Sequence, residues 1–446
     1  MARKTKHINV GFIALGCPKN IIDSEKMLAA IGQAGMVITP DPEAADVVVI
    51  NTCGFIAPAR EEALEAIHEA VGWKASGRVA KVIVAGCLAQ RMGNELFKEV
   101  NGIDAVVGLG ERDNLPDIIR RTVTGSSDRL YMKPCGRHVH DDRGRLLITP
   151  KHSSYLRISE GCNHRCAFCT IPAIRGSFRS KPAEMILSEA RELIDNGAVE
   201  INIIAQDSNY YGRDLKLKNG LRRLIAEFEK LDGLEWLRLM YMYPAGVDDE
   251  LIEVIASSRK VVHYIDMPIQ HINDEILRSM RRTDTKDKNI ALIEKLRRAM
   301  PDVSLRTTVI VGFPGETDRQ FEELVEFVRW AKFDHLGCFP FFPEPDTPAA
   351  AFPDQVSDDV KARRIDALMT AQQEVAFEKT RRSIGRQLLC LVDGVDEAGA
   401  ARCRHYGQAP QIDTVCLMTG CPGRPGKFVK ARIVAAADYD FIVEPV

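Results

Sequence analysis

The sequence lacks a strong net charge, a long apolar run and any low-complexity segment. Its 446 residues include 60 Lys and Arg against 62 Asp and Glu, so the formal charge is −2 at pH 7. This near-neutral charge argues against a protein that coats nucleic acid by bulk charge. No stretch approaches the roughly 18 apolar residues of a membrane span, and the N-terminal residues show no signal-peptide core. We therefore expect a cytoplasmic protein with no membrane partner.

Several common catalytic signatures are also missing. The sequence contains no P-loop, no glycine-rich dinucleotide fingerprint and no Ser, His and Asp order typical of a hydrolase. What it does contain is 12 cysteines. Disulfides rarely persist in a reducing cytosol, so these cysteines indicate metal ligands, catalytic thiols or ordinary buried thiols. Their positions in the fold must decide among these roles.

The hydrophobic pattern predicts an α/β chain. In about the first 110 residues, short runs rich in β-branched residues alternate with amphipathic stretches, which is typical of a doubly wound parallel α/β domain. The predicted strands are 8–15, 46–50, 81–85 and 103–107, and the predicted helices are 21–33, 58–71 and 89–100. The alternation restarts further on with strands at 155–158, 200–205, 236–241, 264–267, 304–311 and 336–339. Six such strands predict a partial (β/α)6 barrel similar to a TIM barrel, with its chemistry at the carboxyl ends of the strands.

The last part of the sequence changes texture. After a helix predicted at 358–382, short strands at 387–392, 415–418, 428–434 and 440–443 are separated by Gly and Pro turns, which predicts a small β-barrel. From residue 384 onward, seven Lys or Arg balance seven Asp or Glu, so this module is neutral. The predicted organisation is therefore an α/β domain at 1–125, a connector at 126–154, the central barrel at 155–378 and the β-barrel at 379–446.

The strongest chemical signal is a C-x-x-x-C-x-x-C run formed by Cys162, Cys166 and Cys169. It directly follows the first strand of the predicted central barrel, so three thiolates share one tight loop and can bind one cluster or ion. Three ligands leave one coordination position open, which favours an iron-sulfur cluster. Zinc would need a fourth ligand, and His164 lies awkwardly inside the loop. Inert thiols are the remaining alternative.

A second set of cysteines is spread along the sequence. Cys17, Cys53 and Cys87 each lie just past the carboxyl end of a predicted parallel strand. Ligands of open α/β sheets bind at that edge, so the three thiols are expected to converge on a second cluster. Each one could instead be a buried structural cysteine, because free cysteine is among the most buried residue types.

The cysteine loop of the partial barrel resembles the radical S-adenosylmethionine superfamily. This resemblance implies that Cys162, Cys166 and Cys169 hold a 4Fe-4S cluster whose fourth iron binds the amine and carboxylate of S-adenosylmethionine. It also implies that Phe168 packs near the adenine and that the segment 310–317 contacts it through Ile310 and the backbone of Gly312. Polar residues Gln206 and Asp207 end the second barrel strand, where they either contact the cofactor or cap the surface.

Two cysteine sets followed by a small β-barrel resemble the methylthiotransferases over essentially the whole chain. The resemblance implies a second, auxiliary 4Fe-4S cluster on Cys17, Cys53 and Cys87, and a C-terminal TRAM domain that docks the substrate. It also implies that one S-adenosylmethionine donates a methyl group and another supplies a radical. An external low-potential reductant such as a flavodoxin is the expected electron donor.

Four motifs resemble the branch of this family that modifies ribosomal protein uS12 at the β-carbon of an aspartate. They are GCPKN at 16–20, NTCGFI at 51–56, CTIPAIRG at 169–176 and DMPIQHIND at 266–274. A tRNA adenosine methylthiotransferase is the alternative, although a neutral barrel suits a basic ribosomal protein better than a polyanionic tRNA. An alternative of another class is a non-enzymatic iron-sulfur or zinc protein that binds ribosomes.

Three features of the sequence are not assigned a single role. The segment 343–348, PEPDTP, departs from the Glu-Glu-Gly-Thr usual in the family, which puts the local loop geometry in question. Arg175 could orient an anionic group or form a structural salt bridge. The six remaining cysteines share no placement and are assigned no chemistry: Cys135, Cys338, Cys390, Cys403, Cys416 and Cys421.

Overall fold

A computed structural model describes residues 7–136, 139–397, 399–420 and 423–446, and divides the chain into two units. The first unit comprises the described residues up to Ile148 together with Ser159–His164 and Cys169–Lys181. The second unit comprises the described residues of Thr149–Ile158, Arg165–Phe168 and Pro182–Val446.

The strands and helices are numbered along the chain. The strands are β1 (Asn9–Ala14), β2 (Val37–Thr39), β3 (Val47–Thr52), β4 (Lys81–Gly86), β5 (Ala105–Val107), β6 (Leu130–Tyr131), β7 (Ser153–Arg157), β8 (Ser159–Glu160), β9 (Arg179–Ser180), β10 (Glu200–Ile204), β11 (Trp236–Leu239), β12 (Val261–Asp266), β13 (Ser304–Val311), β14 (His335–Pro340), β15 (Gln387–Val395), β16 (Ala401–His405), β17 (Cys416–Met418), β18 (Phe428–Ala437) and β19 (Asp440–Pro445). The helices are α1 (Pro18–Gln33), α2 (Ala57–Ala75), α3 (Cys87–Met92), α4 (Glu95–Glu99), α5 (Leu115–Val123), α6 (Ile171–Arg175), α7 (Ala183–Asp195), α8 (Gly220–Phe228), α9 (Asp249–Ser257), α10 (Asp274–Ser279), α11 (Lys286–Ala299), α12 (Asp318–Ala331) and α13 (Asp358–Arg382).

In the described part of the first unit, six parallel strands form one sheet in the order β2-β1-β3-β4-β5-β6. Its central strand β3 is buried along its whole length, because helices cover both faces of the sheet. One face packs against apolar residues of α2, such as Ile67, and the other against residues of α1 and α5, such as Ile31 and Ile119. The chain reverses its winding direction between β1 and β3, so the carboxyl ends of these two strands border a crevice.

The second unit contains a parallel sheet whose strands follow the chain order: β7, β10, β11, β12, β13 and β14. Helices connect successive strands, so all the carboxyl ends lie at one rim of the sheet. The strands at the end of the chain form a closed barrel in the order β15-β16-β17-β19-β18. Three thiols, those of Cys390, Cys403 and Cys416, are fully buried in the core of this barrel.

Buried ion pairs join the small barrel to the second sheet. Glu200 on β10 accepts hydrogen bonds from Arg238 on β11 at 2.9 Å and from Arg404 on β16 at 2.7 Å. All three side chains are at most 2% exposed. The two guanidinium groups hold the pKa of Glu200 at about 2 against its desolvation by burial, compared with an ordinary value of 4.5. The carboxylate therefore stays charged inside the protein.

The predicted α/β architecture with a C-terminal barrel is confirmed, while some elements differ from the prediction. The helix predicted at 89–100 is two helices, α3 and α4, because Gly93 takes a φ of +51° between them. The short strands β2, β6, β8, β9 and β16 were not predicted, and β6 lies within the predicted connector. The domain limits remain predictions. Among the described helices, none is long and apolar enough to cross a membrane. Cys421 lies outside the described residues.

Candidate functional site

The cysteines predicted to form the second set follow three strands of the first sheet. Cys17 immediately precedes α1, three residues after the end of β1, and Cys53 directly follows β3. Cys87 is the first residue of α3 and directly follows β4. The three thiols are close enough to interact electrostatically: Cys17 raises the pKa of Cys53, and both raise the pKa of Cys87. The carboxyl edge of the first sheet thus brings together three side chains that are up to 70 positions apart in sequence.

A glycine with an unusual backbone precedes two of these cysteines. Gly16 and Gly86 both have a φ of +95°. A Cβ atom at Gly86 would lie only 2.2 Å from Asn51 Oδ1 and 2.7 Å from the backbone oxygen of Thr52. Because only glycine takes this conformation at little cost and without a collision, it allows the chain to turn sharply from β4 into α3. The turn places Cys87 at the edge of the sheet.

Burial is the largest influence on the pKa values of Cys53 and Cys87. It raises the pKa of Cys87 to about 12 and also raises the pKa of Cys53. The neighbouring thiols raise both pKa values further, whereas the positive charge of Arg175 opposes the shift. Metal binding requires the thiolate form, so a cation beside Cys87 compensates part of the cost of forming a buried anion.

Arg175 lies at the centre of a buried polar cluster in the first unit. Its guanidinium donates hydrogen bonds to Cys87 Sγ at 3.1 Å and to Asn20 Oδ1 at 2.7 Å. It also pairs with Asp23 at 3.2 Å and with Glu160 at 3.1 Å. Only 2% of the arginine side chain is exposed. These four partners support the structural role that the sequence left open, and they add a contact to a predicted ligand.

The sequence did not reveal the polar partners on α1. Asn20 and Asp23 are buried, and Asn20 also donates to the backbone oxygen of Thr52 at 2.8 Å. Asn51, the penultimate residue of β3, donates to Ser24 Oγ at 2.8 Å. The available signal was the helical spacing of polar residues 20, 23 and 24, which lie on one face of α1 next to the motif GCPKN. A polar helix face is normally interpreted as a solvent-exposed one.

The loop with Cys162, Cys166 and Cys169 runs without regular secondary structure between β8 and α6. In the first unit, the N–H group of Cys162 donates to the backbone oxygen of Gly176 at 3.1 Å. In the second unit, burial raises the pKa of Cys166, and the positive charge of Arg282 opposes this shift. A cation is therefore adjacent to a thiol in this loop as well.

The described residues contain no site for a single metal ion. Within the described ranges, no three His, Cys, Asp or Glu side chains are arranged around the position of one ion. In a 4Fe-4S cluster each thiolate binds a different iron, so the ligands surround a larger group than one ion.

Phe168 and Ile310, both predicted to contact the cofactor, belong to one apolar cluster of the second unit. This cluster also contains Phe313 and Phe341, whose rings make an edge contact with centroids 5.2 Å apart. Gly312 has a φ of +71°, and a Cβ atom there would lie 2.3 Å from Lys361 Cγ. The packing of Lys361 thus explains this glycine without a ligand, and its contact with a cofactor remains a prediction.

Polar groups lie at the carboxyl ends of the strands in the second unit. Gln206 and Asp207 follow β10 as predicted, and Asp207 accepts a hydrogen bond from the N–H group of Asn209 at 3.0 Å. Gln270, for which no role was predicted, has a positive φ of +73°, and its backbone oxygen accepts a hydrogen bond from the N–H group of Ile310 at 2.7 Å. Its side-chain oxygen is buried and has no hydrogen-bond partner among the described residues. Strained residues of this kind are concentrated at functional sites.

The departure in segment 343–348 leaves an ordinary turn. Asp346 occupies the position of the usual glycine and has a φ of +67°. Aspartate tolerates this left-handed conformation better than most residues. Thr347 closes the turn by donating its hydroxyl to the backbone oxygen of Glu344 at 2.7 Å. The loop therefore keeps a left-handed residue without glycine.

Comparison with known proteins divides the chain into three matched regions. Residues 9–108 match the uncharacterized protein family UPF0004, and residues 156–328 match the Radical SAM superfamily. Residues 384–446 match the TRAM domain. The last match covers the closed barrel formed by β15 to β19, so the prediction of a TRAM domain is confirmed.

Relatives described as ribosomal protein uS12 methylthiotransferase RimO align with almost the whole chain. The relative from Syntrophus aciditrophicus is 42% identical over 454 residues, covering 98% of this chain and 98% of the relative. The relative from Geobacter sulfurreducens is also 42% identical, with 98% of each chain covered. The relative from an Anaeromyxobacter species is 44% identical, covering 96% of this chain and 91% of the relative. The chain belongs to the RimO family. The resemblance inferred from the four motifs is therefore confirmed, while the ligand roles of individual residues remain predictions.

Solved structures with similar folds are more distant than these RimO relatives. The radical S-adenosylmethionine methyltransferase TsrM from Kitasatospora setae, solved with cobalamin and a [4Fe-4S] cluster, has a TM-score of 0.54 and 15% identity. The alignment covers 77% of this chain and 74% of TsrM. The cobalamin-dependent radical enzyme OxsB has a TM-score of 0.50 at 12% identity, covering 82% of this chain and 56% of OxsB. At such identities the similarity shows the fold alone.

Proposed function

We propose that this chain is a radical methylthiotransferase that replaces a hydrogen on the β-carbon of an aspartate in ribosomal protein uS12 with a methylthio group. Relatives named as uS12 methylthiotransferases support this substrate, because they match at least 96% of the chain at 42–44% identity. The enzyme acts in the cytoplasm and takes electrons from an external low-potential donor such as a flavodoxin. The neutral charge of the TRAM domain disfavours tRNA as the substrate.

The observation that carries the proposal is the convergence of Cys17, Cys53 and Cys87 at one edge of the first sheet. The loop of Cys162, Cys166 and Cys169 is sufficient for a radical enzyme, so a further set of three thiols indicates a second cofactor. Thiolate is the usual ligand of iron-sulfur clusters. Three ligands in each set leave one iron of a 4Fe-4S cluster open for S-adenosylmethionine or for sulfur.

The surroundings of both cysteine sets fit such clusters. Arg175 donates a hydrogen bond to Cys87, and the positive charge of Arg282 opposes the rise in the pKa of Cys166, so a cation next to each set offsets thiolate charge. When bound, the two clusters supply an electron for cleavage of the S-adenosylmethionine sulfonium and an open iron for the incoming sulfur. The barrel residues Phe168 and Ile310 provide an apolar surface for the adenine, and Gln206 provides a polar contact at the same rim.

The proposal is tested by anaerobic reconstitution and a product assay on purified uS12. We expect about eight irons per chain, formation of 5′-deoxyadenosine that requires reductant, and a methylthio group on uS12 detected by mass spectrometry. Cys53→Ala should still cleave S-adenosylmethionine but insert no sulfur, whereas Cys166→Ala should do neither. A loss of cleavage in both variants would contradict the proposed division of labour.

Two further outcomes would point to the alternative functions. Methylthio groups on tRNA nucleosides, with unmodified uS12, would identify the tRNA enzyme. A single zinc per chain with no deoxyadenosine would identify a non-enzymatic protein that binds ribosomes. Comparing uS12 and tRNA from a deletion strain with those from its parent provides the matching test in cells.

A further inference from the structure

A chain of alternating buried charges leads to the Cys87 thiol within the first unit. Arg175 contacts the thiol and pairs with Asp23 and Glu160. Asp23 also pairs with Arg112 at 3.2 Å, Arg112 pairs with Asp142 at 2.7 Å, and Asp142 pairs with Lys181 at 2.9 Å. Except for Glu160, which is 11% exposed, these side chains are at most 4% exposed. The carboxylates fix the guanidinium of Arg175 in place before any cofactor binds.

The position of Arg175 in the sequence adds a second link. Glu160 lies two residues before Cys162, and Arg175 lies six residues after Cys169, so the pair flanks the cysteine loop. The two hydrogen bonds from Arg175 Nη1 to the Glu160 carboxylate are both 3.1 Å long. One guanidinium therefore connects both flanks of this loop to Cys87.

The chemistry of a cluster ligand determines what this contact does. As a thiol, Cys87 can donate to Asn20 Oδ1, which lies 3.3 Å away. As a thiolate, Cys87 can only accept hydrogen bonds, so it loses the contact with Asn20 Oδ1 and keeps the hydrogen bond donated by Arg175. Hydrogen bonds to cluster sulfurs, net charge and solvent exposure set the reduction potential of iron-sulfur clusters. A donor and a positive charge stabilise the reduced, more negative cluster.

We propose that Arg175 is a positioning residue of the site formed by Cys17, Cys53 and Cys87, where it holds the Cys87 sulfur and raises the reduction potential of the cluster bound there. The inference rests on the proposed function, because it requires a cluster at this site. Arg175 acts through Cys87 and contacts neither substrate in this role. Its buried partners make it unavailable to a substrate carboxylate.

The test uses full-length chain in which Cys162, Cys166 and Cys169 are all replaced by Ala, so that only the site of Cys87 can be loaded. Into this parent we introduce Arg175→Gln, Arg175→Lys or the control Arg145→Lys. Arg145 is a matched control because it forms a buried pair with Glu25 in the same unit, at 3.1 Å. Iron and sulfide analysis measures loading, and a redox titration followed by electron paramagnetic resonance measures the potential.

In Arg175→Gln we expect the ratio of reduced to oxidised cluster at a fixed potential to fall roughly tenfold, a negative shift of about 59 mV for one electron. Arg175→Lys retains the charge and should shift less in the same direction, and Arg145→Lys should not shift. A loaded Arg175→Gln chain with the potential of the parent, or an equal shift in the control, would overturn the inference.

Variants that bind no iron-sulfur cluster also test the inference. If Arg175→Gln holds no cluster, a negative shift in a loaded Arg175→Lys supports the inference, and the parent's potential in that variant overturns it. Loss of loading in both Arg175 variants but not in Arg145→Lys supports the positioning role, whereas loss in all three overturns it. If the parent itself holds no cluster, the proposed function fails instead.

Discussion

The two parallel sheets supply cysteines in opposite ways. In the first sheet, Cys17, Cys53 and Cys87 follow three different strands, β1, β3 and β4, and meet only because the sheet is folded. After β7, the first strand of the second sheet along the chain, three cysteines share the single loop 162–169 between β8 and α6. The first arrangement depends on the backbone of three strands, and the second is encoded locally. We therefore expect the two sites to fail under different perturbations.

The supporting interactions differ in the same way. The edge of the first sheet needs glycines with positive φ and a buried polar cluster around Arg175. Ion pairs of Glu200 join the second sheet to the TRAM domain. Glu200 is the first residue of β10, so it lies at the opposite end of this strand from the rim. Backbone strain should thus damage the first site, while loss of charge should weaken the second unit as a whole.

The largest effect is expected from Gly86→Ala. The new Cβ atom would lie 2.2 Å from Asn51 Oδ1, and alanine would have to adopt a φ of +95°. We predict loss of the cluster next to β4, so iron content falls to about half, while the locally encoded site still forms 5′-deoxyadenosine. Gly77→Ala is the matched control, because its φ is +78° but no atom lies within 4 Å of the new Cβ. Full iron content in Gly86→Ala would show that the site next to β4 does not depend on this backbone conformation.

The next largest effect is expected from Glu200→Gln. Removing the carboxylate leaves Arg238 and Arg404 without their shared anion, which should lower the free energy of unfolding by about 3 kcal/mol at pH 7. The folded pKa of about 2 lies below the ordinary value of 4.5. The stabilisation is therefore present above pH 4.5 and is lost as the pH falls towards 2.

Urea denaturation between pH 7 and pH 3, followed by circular dichroism, measures both parts of this prediction. The wild-type chain should lose more stability on acidification than Glu200→Gln. Glu227→Gln, which removes the exposed partner of Lys230, serves as the control and should behave like the wild type. Parallel pH profiles for wild type and Glu200→Gln would refute the role assigned to this carboxylate.

The smallest effect is expected from Gly312→Ala at the rim of the second sheet. The colliding atom is Cγ of the buried Lys361, a side-chain atom that can shift at lower cost than the backbone atoms around Gly86, so we predict that the free energy of unfolding falls by about 1–2 kcal/mol and that both clusters load fully. Gly315→Ala has a similar φ of +79° with no neighbour within 4 Å, and it isolates the backbone cost. Adding Lys361→Ala to Gly312→Ala removes the colliding atom. The double variant should regain only the part of the unfolding free energy by which Gly312→Ala is less stable than Gly315→Ala. Complete recovery would show that backbone strain contributes nothing.

Much of the fold was predictable because buried parallel strands have continuous apolar sequences. The prediction of 304–311 coincides with β13, and that of 358–382 coincides with α13. The strand β2 was missed because it has only three residues at a sheet edge. The strand β16, with the sequence ARCRH, was missed because its buried Arg404 depends on Glu200, 204 positions away. Local patterns do not contain such partners.

The same limit applies to the candidate site. The positions of the six cysteines after strands or in one loop were evident from sequence, since strand ends and motif spacing are local features. The cluster around Arg175 was not predictable, because its partners Asn20 and Asp23 are more than 150 positions away. Their buried helix face is polar, so its periodicity indicated solvent rather than an interior ion pair.

The buried cysteines in the core of the TRAM barrel can report how often this barrel opens. Cys390, Cys403 and Cys416 are completely enclosed, and a hydrogen bond with Cys390 together with burial raises the pKa of Cys416 well above its ordinary value. A maleimide can reach these three enclosed side chains only when the strands separate, and exposure to water then allows the reactive thiolate to form. The labelling rate of each cysteine therefore measures how often the barrel opens around that residue while the rest of the protein stays folded.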